Sequence, residues 1–152
     1  MKKELKVSAI KNGTVIDHIR PGKALDVVRL MNLENYGGSV TVAMNMRSSL
    51  FKTKDIVKIE NRELSEEEVN EIALIAPEST INIIKDYEVV EKRKIELPGV
   101  IKGILTCMNP NCISRKEGSS KFIVEKREPV VLRCYYCERL MEEDEILKRL
   151  RI

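Results

Sequence analysis

Between Ser39 and Met46 the chain alternates strictly, with Val40, Val42, Met44 and Met46 on one side of the pattern. A period of two sends alternate side chains to one face of a strand, so this segment reads as a half-buried strand. Asp55 to Glu60, with Ile56, Val57 and Ile59, reads as its neighbour. Upstream, Leu5, Val7, Ala9, Val15, Ile16 and Ile19 mark a strand or strand pair around the turn signal Asn12-Gly13, and Pro21-Gly22 ends it. From Lys23 to Asn32 the period changes: Ala24, Leu25, Val28 and Met31 share one helical face, and Asn35-Tyr36-Gly37-Gly38 closes the segment. A second helix opens at Ser65 with Glu68 three residues on, the spacing of a reciprocal capping box. Leu64 and Val69 flank that cap as a hydrophobic staple. Val69, Ile72, Ala73 and Ala76 supply the apolar stripe, and Pro77 stops the helix. Thr80 to Ile84 and Tyr87 to Lys92 then read as one bent strand or two consecutive ones.

The order is strand, helix, strand, strand, helix, strand. It predicts a ferredoxin-like α/β sandwich, an antiparallel sheet with both helices on one face. Pattern and composition change at Leu97-Pro98-Gly99, which reads as a joint. Strands are expected at Lys121 to Lys126 and Val130 to Cys134, and a short helix from Glu142 to Arg149. The fold class is therefore α+β. Residues 1–98 form one domain and residues 99–152 a small zinc-ribbon-like β domain.

All the cysteines lie in that second region, as Cys107-x4-Cys112 and Cys134-x2-Cys137 with 21 residues between the pairs. Two close pairs can converge on one tetrahedral ion, each loop delivering two thiolates. Met108-Asn109-Pro110-Asn111 is turn-forming, and Tyr135-Tyr136 leaves the two-residue gap of a knuckle. Disulfides need an oxidising compartment, and Met-Lys-Lys-Glu-Leu-Lys at the N-terminus is not an apolar signal segment. A redox Cys-x-x-Cys would not explain two neighbouring pairs. The expectation is one Zn2+ per chain. Four thiolates fill its coordination sphere, so the ion builds structure and leaves no open position for chemistry.

Composition narrows the function more than it names it. No apolar run reaches the ~18 residues of a membrane span, so no membrane partner is expected and a cytoplasmic location is. Charged residues make up 34% of the chain, with Trp and Gln absent, a balance that leans towards proteins working at high temperature. The net charge of +3 is spread along the chain. Residues 1–103 carry 17 Lys/Arg against 16 Asp/Glu, and residues 104–152 carry 10 against 8. A nucleic-acid reader concentrates basic charge in a stripe, and none is seen. His18 is the single histidine, and no glycine-rich phosphate loop occurs. With the cysteines committed to metal, the groups of an acid–base or nucleophilic site are missing. The Ser65 to Glu68 carboxylates are explained by capping. Asp17 and His18, at the end of an apolar strand, could meet a sugar hydroxyl and a phosphate, or form a plain surface turn with a packed histidine.

Several segments occur together and in order: Gly13-Thr-Val-Ile-Asp-His-Ile19, Val57-Lys-Ile-Glu-Asn61, Ala76-Pro77, Asp86-Tyr-Glu-Val-Val-Glu-Lys92 and Asn109-Pro-Asn-Cys-Ile-Ser114. With the two cysteine pairs, the chain resembles the regulatory chain of aspartate carbamoyltransferase from about Leu5 to Leu140. The resemblance implies a subunit without catalytic activity. Its N-terminal domain would bind nucleoside triphosphates and pair with a second regulatory chain as a homodimer. Its zinc domain would grip the catalytic chain, and nucleotide binding would raise or lower that chain's activity at the first committed step of pyrimidine synthesis. CTP and ATP are the implied effectors, with UTP a further candidate.

Carried over by motif, Ala9, Ile10, Ile84, Tyr87 and Val89 would frame the base. Asp17 and Lys58 would hold the ribose, and His18 and Lys92 would meet the phosphates. Asn82 belongs at the same strand edge, Lys54 stands behind the site, and Lys11 is an additional cation for the triphosphate. Arg20-Pro21-Gly22-Lys23 departs from the bacterial pattern in being shorter and more basic, Ile83 is apolar where a basic residue is frequent, and the chain ends in Lys148-Arg-Leu-Arg-Ile152. The alternative is a zinc-ribbon nucleic-acid-binding accessory protein that stacks bases on Phe122, Tyr135 and Tyr136. A second is a free-standing nucleotide sensor serving some other enzyme.

Overall fold

The computed structural model describes residues 9–47, 52–116 and 118–150. Its first sheet has five antiparallel strands in the order β2-β3-β1-β4-β5. These are β1 (Gly13–Ile19), β2 (Val40–Arg47), β3 (Thr53–Glu60), β4 (Thr80–Lys85) and β5 (Glu88–Lys94), interleaved with α1 (Ala24–Leu30) and α2 (Glu66–Ile75). Strands 2-3-1-4 reproduce the order of a ferredoxin-like sandwich, and β5 extends it by one hairpin strand.

Alternation decides what each face does. Ile16 pairs with Val57 on one side and Ile81 on the other, and all three are buried. Thr14, paired with Ile59 and Ile83, lies on the same face and donates through Oγ1 to the Arg62 carbonyl at 2.6 Å. These residues share a core with Ala24, Val27 and Val28 of α1 and with Val69, Ile72 and Ala73 of α2. Each large aliphatic buried there contributes about 1.5–3 kcal/mol. The capping box of α2 is complete: Glu68 N–H donates to Ser65 Oγ at 3.1 Å, and Ser65 N–H to Glu68 Oε1 at 3.0 Å.

The structure corrects four sequence expectations. Helix α1 stops at Leu30, because Asn32 takes a left-handed conformation (φ 54°) and leads into a short 3-10 turn at Leu33–Asn35. Its buried face uses Val27, while Leu25 is exposed. Strand β2 forms as expected but sits at the sheet edge, where the helices no longer cover Val42 and Met44. Asn12-Gly13 is not a hairpin turn, since the Asn12 carbonyl accepts from Asn61 N–H and its side chain from Asp86 N–H. Leu5 and Val7, expected in the first strand, and the end of the Lys148–Ile152 segment lie outside the described residues. Gly13 itself is obligatory. Its φ is +143°, and a Cβ there would stand 2.2 Å from the Ile59 carbonyl oxygen.

After Ile95 and Leu97, both buried, the chain enters a second antiparallel sheet, β6-β7-β8-β9. Its strands are β6 (Val100–Lys102), β7 (Lys121–Arg127), β8 (Val130–Cys134) and β9 (Leu140–Met141), followed by α3 (Glu143–Leu150). The row Ile101–Phe122–Cys134 runs through its centre and is buried throughout. Phe122 is 0% exposed and offers no surface on which a base could stack. Helix α3 turns Ile146 and Leu150 inward, and the apolar core is continuous between the two sheets.

Candidate functional site

Each cysteine sits where a local device holds it. Cys134 ends β8, fixed by the pairing of Phe122 with Cys134. Cys137 follows a tight turn in which its N–H points at Cys134 Sγ (3.5 Å), and Glu138 takes a φ of 65°. Cys107 is steadied by Asn109 N–H to its sulfur (3.4 Å) and by Arg115 on its carbonyl (3.1 Å). Cys112 opens a 3-10 turn and meets Ser114 Oγ at 3.1 Å. The four sulfurs lie within 4.8 Å of one another, with Cys107–Cys137 at 3.7 Å and Cys112–Cys134 at 3.6 Å. Disulfide sulfurs would lie about 2.05 Å apart. Zn–S bonds of about 2.3 Å in a tetrahedron place sulfurs about 3.8 Å apart, so the donor set fits a divalent thiophilic ion.

The thiols also need that ion electrostatically. Burial pushes Cys107 up to about 12, helped by the neighbouring thiols. At Cys112 burial acts the same way, but hydrogen bonds from Ser114 and the adjoining thiols bring it down to about 7. Sulfurs packed this closely cannot all ionise unless a cation sits among them.

The second constellation lies on the face of the first sheet turned away from α1 and α2. Residues directly opposite in an antiparallel sheet share a face. Lys58 stands opposite Val15, Val15 opposite Asn82, and Asn82 opposite Lys92, which makes one row across four strands. Asp17, two residues beyond Val15, lies on this face too, and its carboxylate is 3.0 Å from Lys54 Nζ. Burial holds the Lys58 ammonium below the usual lysine range, and Asp17 offsets part of that. Asn82 Oδ1 is buried and accepts no hydrogen bond among the described residues. An unsatisfied buried acceptor costs about 1–3 kcal/mol, which a donor arriving from outside would recover.

His18 departs from the alternation. A bulge between Ile16 and Ile19 gives it a φ of 57°, its N–H donates to Asp17 Oδ1 at 2.6 Å, and its Nδ1 lies 3.3 Å from Thr80 Oγ1. Bulges re-aim side chains beside functional surfaces, and this one brings His18 beside Asp17 and Thr80, along one side of the row. On the other side Ile84 pairs with Gly13 and Val89. Tyr87 sits on the two-residue β4–β5 turn at φ 68°, exposed, with its N–H bonded to the Lys11 carbonyl at 2.9 Å. A bulky residue with positive φ is strained by about 1–2 kcal/mol, and such strain gathers at functional surfaces. Ala9 is exposed and Ile10 half-buried on this side. Lys11 is thus on the Tyr87 side. It lies in a bend two residues before β1.

Sequence reasoning overlooked Asp55. It is fully buried, and its carboxylate accepts from Gly22 N–H (2.9 Å), Ala24 N–H (3.2 Å) and Asn45 N–H (3.0 Å). Asp55 also stands opposite Ile19. It therefore pins the loop that follows His18 and the bulge in β2. An aspartate between Lys54 and Ile56 at the start of an apolar strand carries no periodic signal of such a role.

A family model described as "Aspartate carbamoyltransferase regulatory chain, allosteric domain" matches residues 5–96, and one described as its "metal binding domain" matches residues 99–147. The chain belongs to the aspartate carbamoyltransferase regulatory chain family. Proteins named as that regulatory chain are 60% identical in Pyrococcus abyssi, across 97% of this chain and 99% of that protein. In Pyrococcus furiosus the identity is 58% with the same coverage. In Methanothermobacter thermautotrophicus it is 57%, over 96% of each chain. As a regulatory chain, the protein is a non-catalytic subunit. No helix among the described residues is long and apolar enough to cross a membrane.

Proposed function

We propose that residues 1–98 bind nucleoside triphosphates on the open face of the first sheet. Residues 99–152, built on one structural Zn2+, would attach the subunit to the aspartate carbamoyltransferase catalytic chain in the cytoplasm. The single observation that carries the nucleotide reading is the row Lys58–Val15–Asn82–Lys92 with Asp17 and His18 along its side. It supplies cations for phosphates, a carboxylate for ribose hydroxyls and an unfilled acceptor in one strip. Ile84, Tyr87 and Val89, with the backbone of Ala9 and Ile10, frame the base on the other side. Lys11, whose carbonyl accepts from Tyr87 N–H, is an additional cation for the triphosphate.

Catalytic-chain attachment is supported by apolar side chains crowded around the metal loops. Ile113, Tyr135, Tyr136 and Leu140 are all about half exposed. Tyr135 and Tyr136 meet edge to face, and Lys121 lies 4.1 Å from the Tyr135 ring centre. Exposed aromatic clusters of this kind are typical anchors of protein interfaces. Pairing with a second regulatory chain is supported by the contrast between the sheet edges. Strand β5 carries five charged residues, whereas β2 carries only Arg47 and exposes Val42 and Met44. Charged edges resist strand addition and apolar ones invite it.

The test is to reconstitute Lys92→Ala with the catalytic chain and measure aspartate saturation with CTP, ATP and UTP. Assembly should be normal, triphosphate binding weaker and the nucleotide effect lost. Unchanged binding of all three would refute the site.

A further inference from the structure

The two sheets share a continuous apolar core, and two clefts open to solvent flank the seam between them. On one side α2 and α3 approach beside a cavity of about 260 Å³ lined by Leu30, Ile75, Leu147 and Leu150. On the other, a cleft of about 450 Å³ is lined by Ile75, Pro77 and Pro129 together with the charged Arg20, Glu128 and Glu143. Apolar contact is non-directional and sets the angle between the domains less sharply than paired charges do.

Charged groups cross the same seam, and they converge on one loop. Arg20 contacts Glu78 (3.4 Å), within the first domain, and Glu128, at the β7–β8 turn of the second. Lys23 reaches Glu143 at the start of α3 (3.5 Å). Arg127 donates to the Leu97 carbonyl at the joint. The position of Arg20 is the telling feature. It lies two residues after His18, and Glu78 lies two residues before Thr80, the residue that His18 contacts. The His18–Thr80 contact and the Arg20–Glu78 pair are thus successive rungs between the same two segments, and Glu128 is the next rung, across the seam. Asp55 holds the following turn through Gly22 and Ala24, so a displacement at His18 is passed to Arg20 rather than absorbed by the loop.

We infer that Arg20, with Lys23, forms an electrostatic clasp that sets the angle between the domains and carries the state of the open face to the β7–β8 turn. Arg20 is a positioning residue in this account and touches no ligand. The carrier is a stack of directional contacts with two attainable arrangements, clasped and released, the kind of element through which two sites bias one equilibrium. All the paired side chains are partly exposed, so salt within the Debye length weakens the clasp. The inference deepens the nucleotide reading and rests on it only for the identity of the ligand.

The test uses the full-length wild-type chain, Arg20→Gln, Glu128→Lys and the charge swap Arg20→Glu/Glu78→Lys/Glu128→Lys, which inverts both of the pairs Arg20 makes, followed by amide exchange. In the first arm the metal is chelated. Exchange at residues 19–24 should rise at least tenfold in wild type. In Arg20→Gln it should already be raised, with chelation adding less than twofold. Equal responses in both would overturn the clasp. In the second arm CTP or ATP is added. Exchange at residues 127–130 should slow in wild type and not in Arg20→Gln or Glu128→Lys, while triphosphate affinity changes less than threefold. The charge swap should restore the response, which a merely structural loss would not. Full retention in Arg20→Gln would overturn the clasp and leave the nucleotide site standing. If wild type binds no triphosphate, the nucleotide reading fails and the chelation arm alone still decides the clasp.

Discussion

The two halves of this chain reach a defined fold by different routes. The first spreads its stability over five strands and two helices, whose buried aliphatic residues form one layer between sheet and helices. The second has four short strands and one helix, and it gathers four thiols within 4.8 Å at its centre. In the first half the groups able to meet a ligand lie on the face that the core leaves uncovered. In the second the chemically distinctive groups are themselves the core. Distributed burial tolerates local loss, whereas a single centre does not.

Removing the metal should give the largest effect. Structural thiolate sites contribute on the order of 10 kcal/mol to the folding of small domains. Chelation, or Cys137→Ala, should therefore raise amide exchange throughout residues 104–150 and leave β1, β3, β4 and α2 protected. Acidification acts in the same direction, because protons compete with metal for thiolates. Cys107, pushed up to about 12, and Cys134, raised by burial, take up protons before Cys112 at about 7, so metal retention should weaken progressively as pH falls and most steeply below about 7, where Cys112 too regains its proton. Metal content and exchange at a series of pH values would show it. Protection that collapses equally in both halves would break the contrast.

Phe122→Ala empties the centre of the small core and should cost about 3–5 kcal/mol, read as the loss of thermal stability of the metal-bound form. Asp55→Ala is smaller, about 3 kcal/mol, because it orphans three backbone donors in the first half. It should also loosen residues 18–24, seen as faster exchange there with the second half unchanged. Lys92→Ala should shift stability by less than about 0.5 kcal/mol, since the side chain is exposed. Its effect belongs to binding, where losing one charged partner weakens triphosphate roughly tenfold by titration calorimetry.

The same contrast explains what could be read from the amino-acid sequence. Cysteine spacing survives as a pattern because two short loops must each deliver two ligands, so the metal centre is legible down to its four residues. The Ser65–Glu68 box is legible because capping is local. The open face is not, because Lys58, Asn82 and Lys92 become neighbours only through strand register, and each alone is an ordinary polar strand residue. The resemblance to the regulatory chain family supplied those positions. Tyr87 shows the local limit. Asp86-Tyr87 lacks the glycine expected of a two-residue turn, so one bent strand and two strands stayed open until the backbone placed both residues at positive φ. Leu25 and Val27 exchanged roles in α1 because a seven-residue helix is too short for its stripe to fix the rotation. Asp55 was invisible because its partners are backbone groups brought from two other elements.

The central claim is that the metal builds only the second half and that the ligand-reading face belongs to the first. Titrating CTP and ATP into the chain before and after complete metal removal tests it most directly. The account predicts that the stripped chain, with residues 104–150 unfolded by exchange, binds triphosphate within about tenfold of the metal-loaded chain, as expected when binding and metal act on separately stable units. Binding that requires the metal, or that survives only where the second half remains folded, would contradict it.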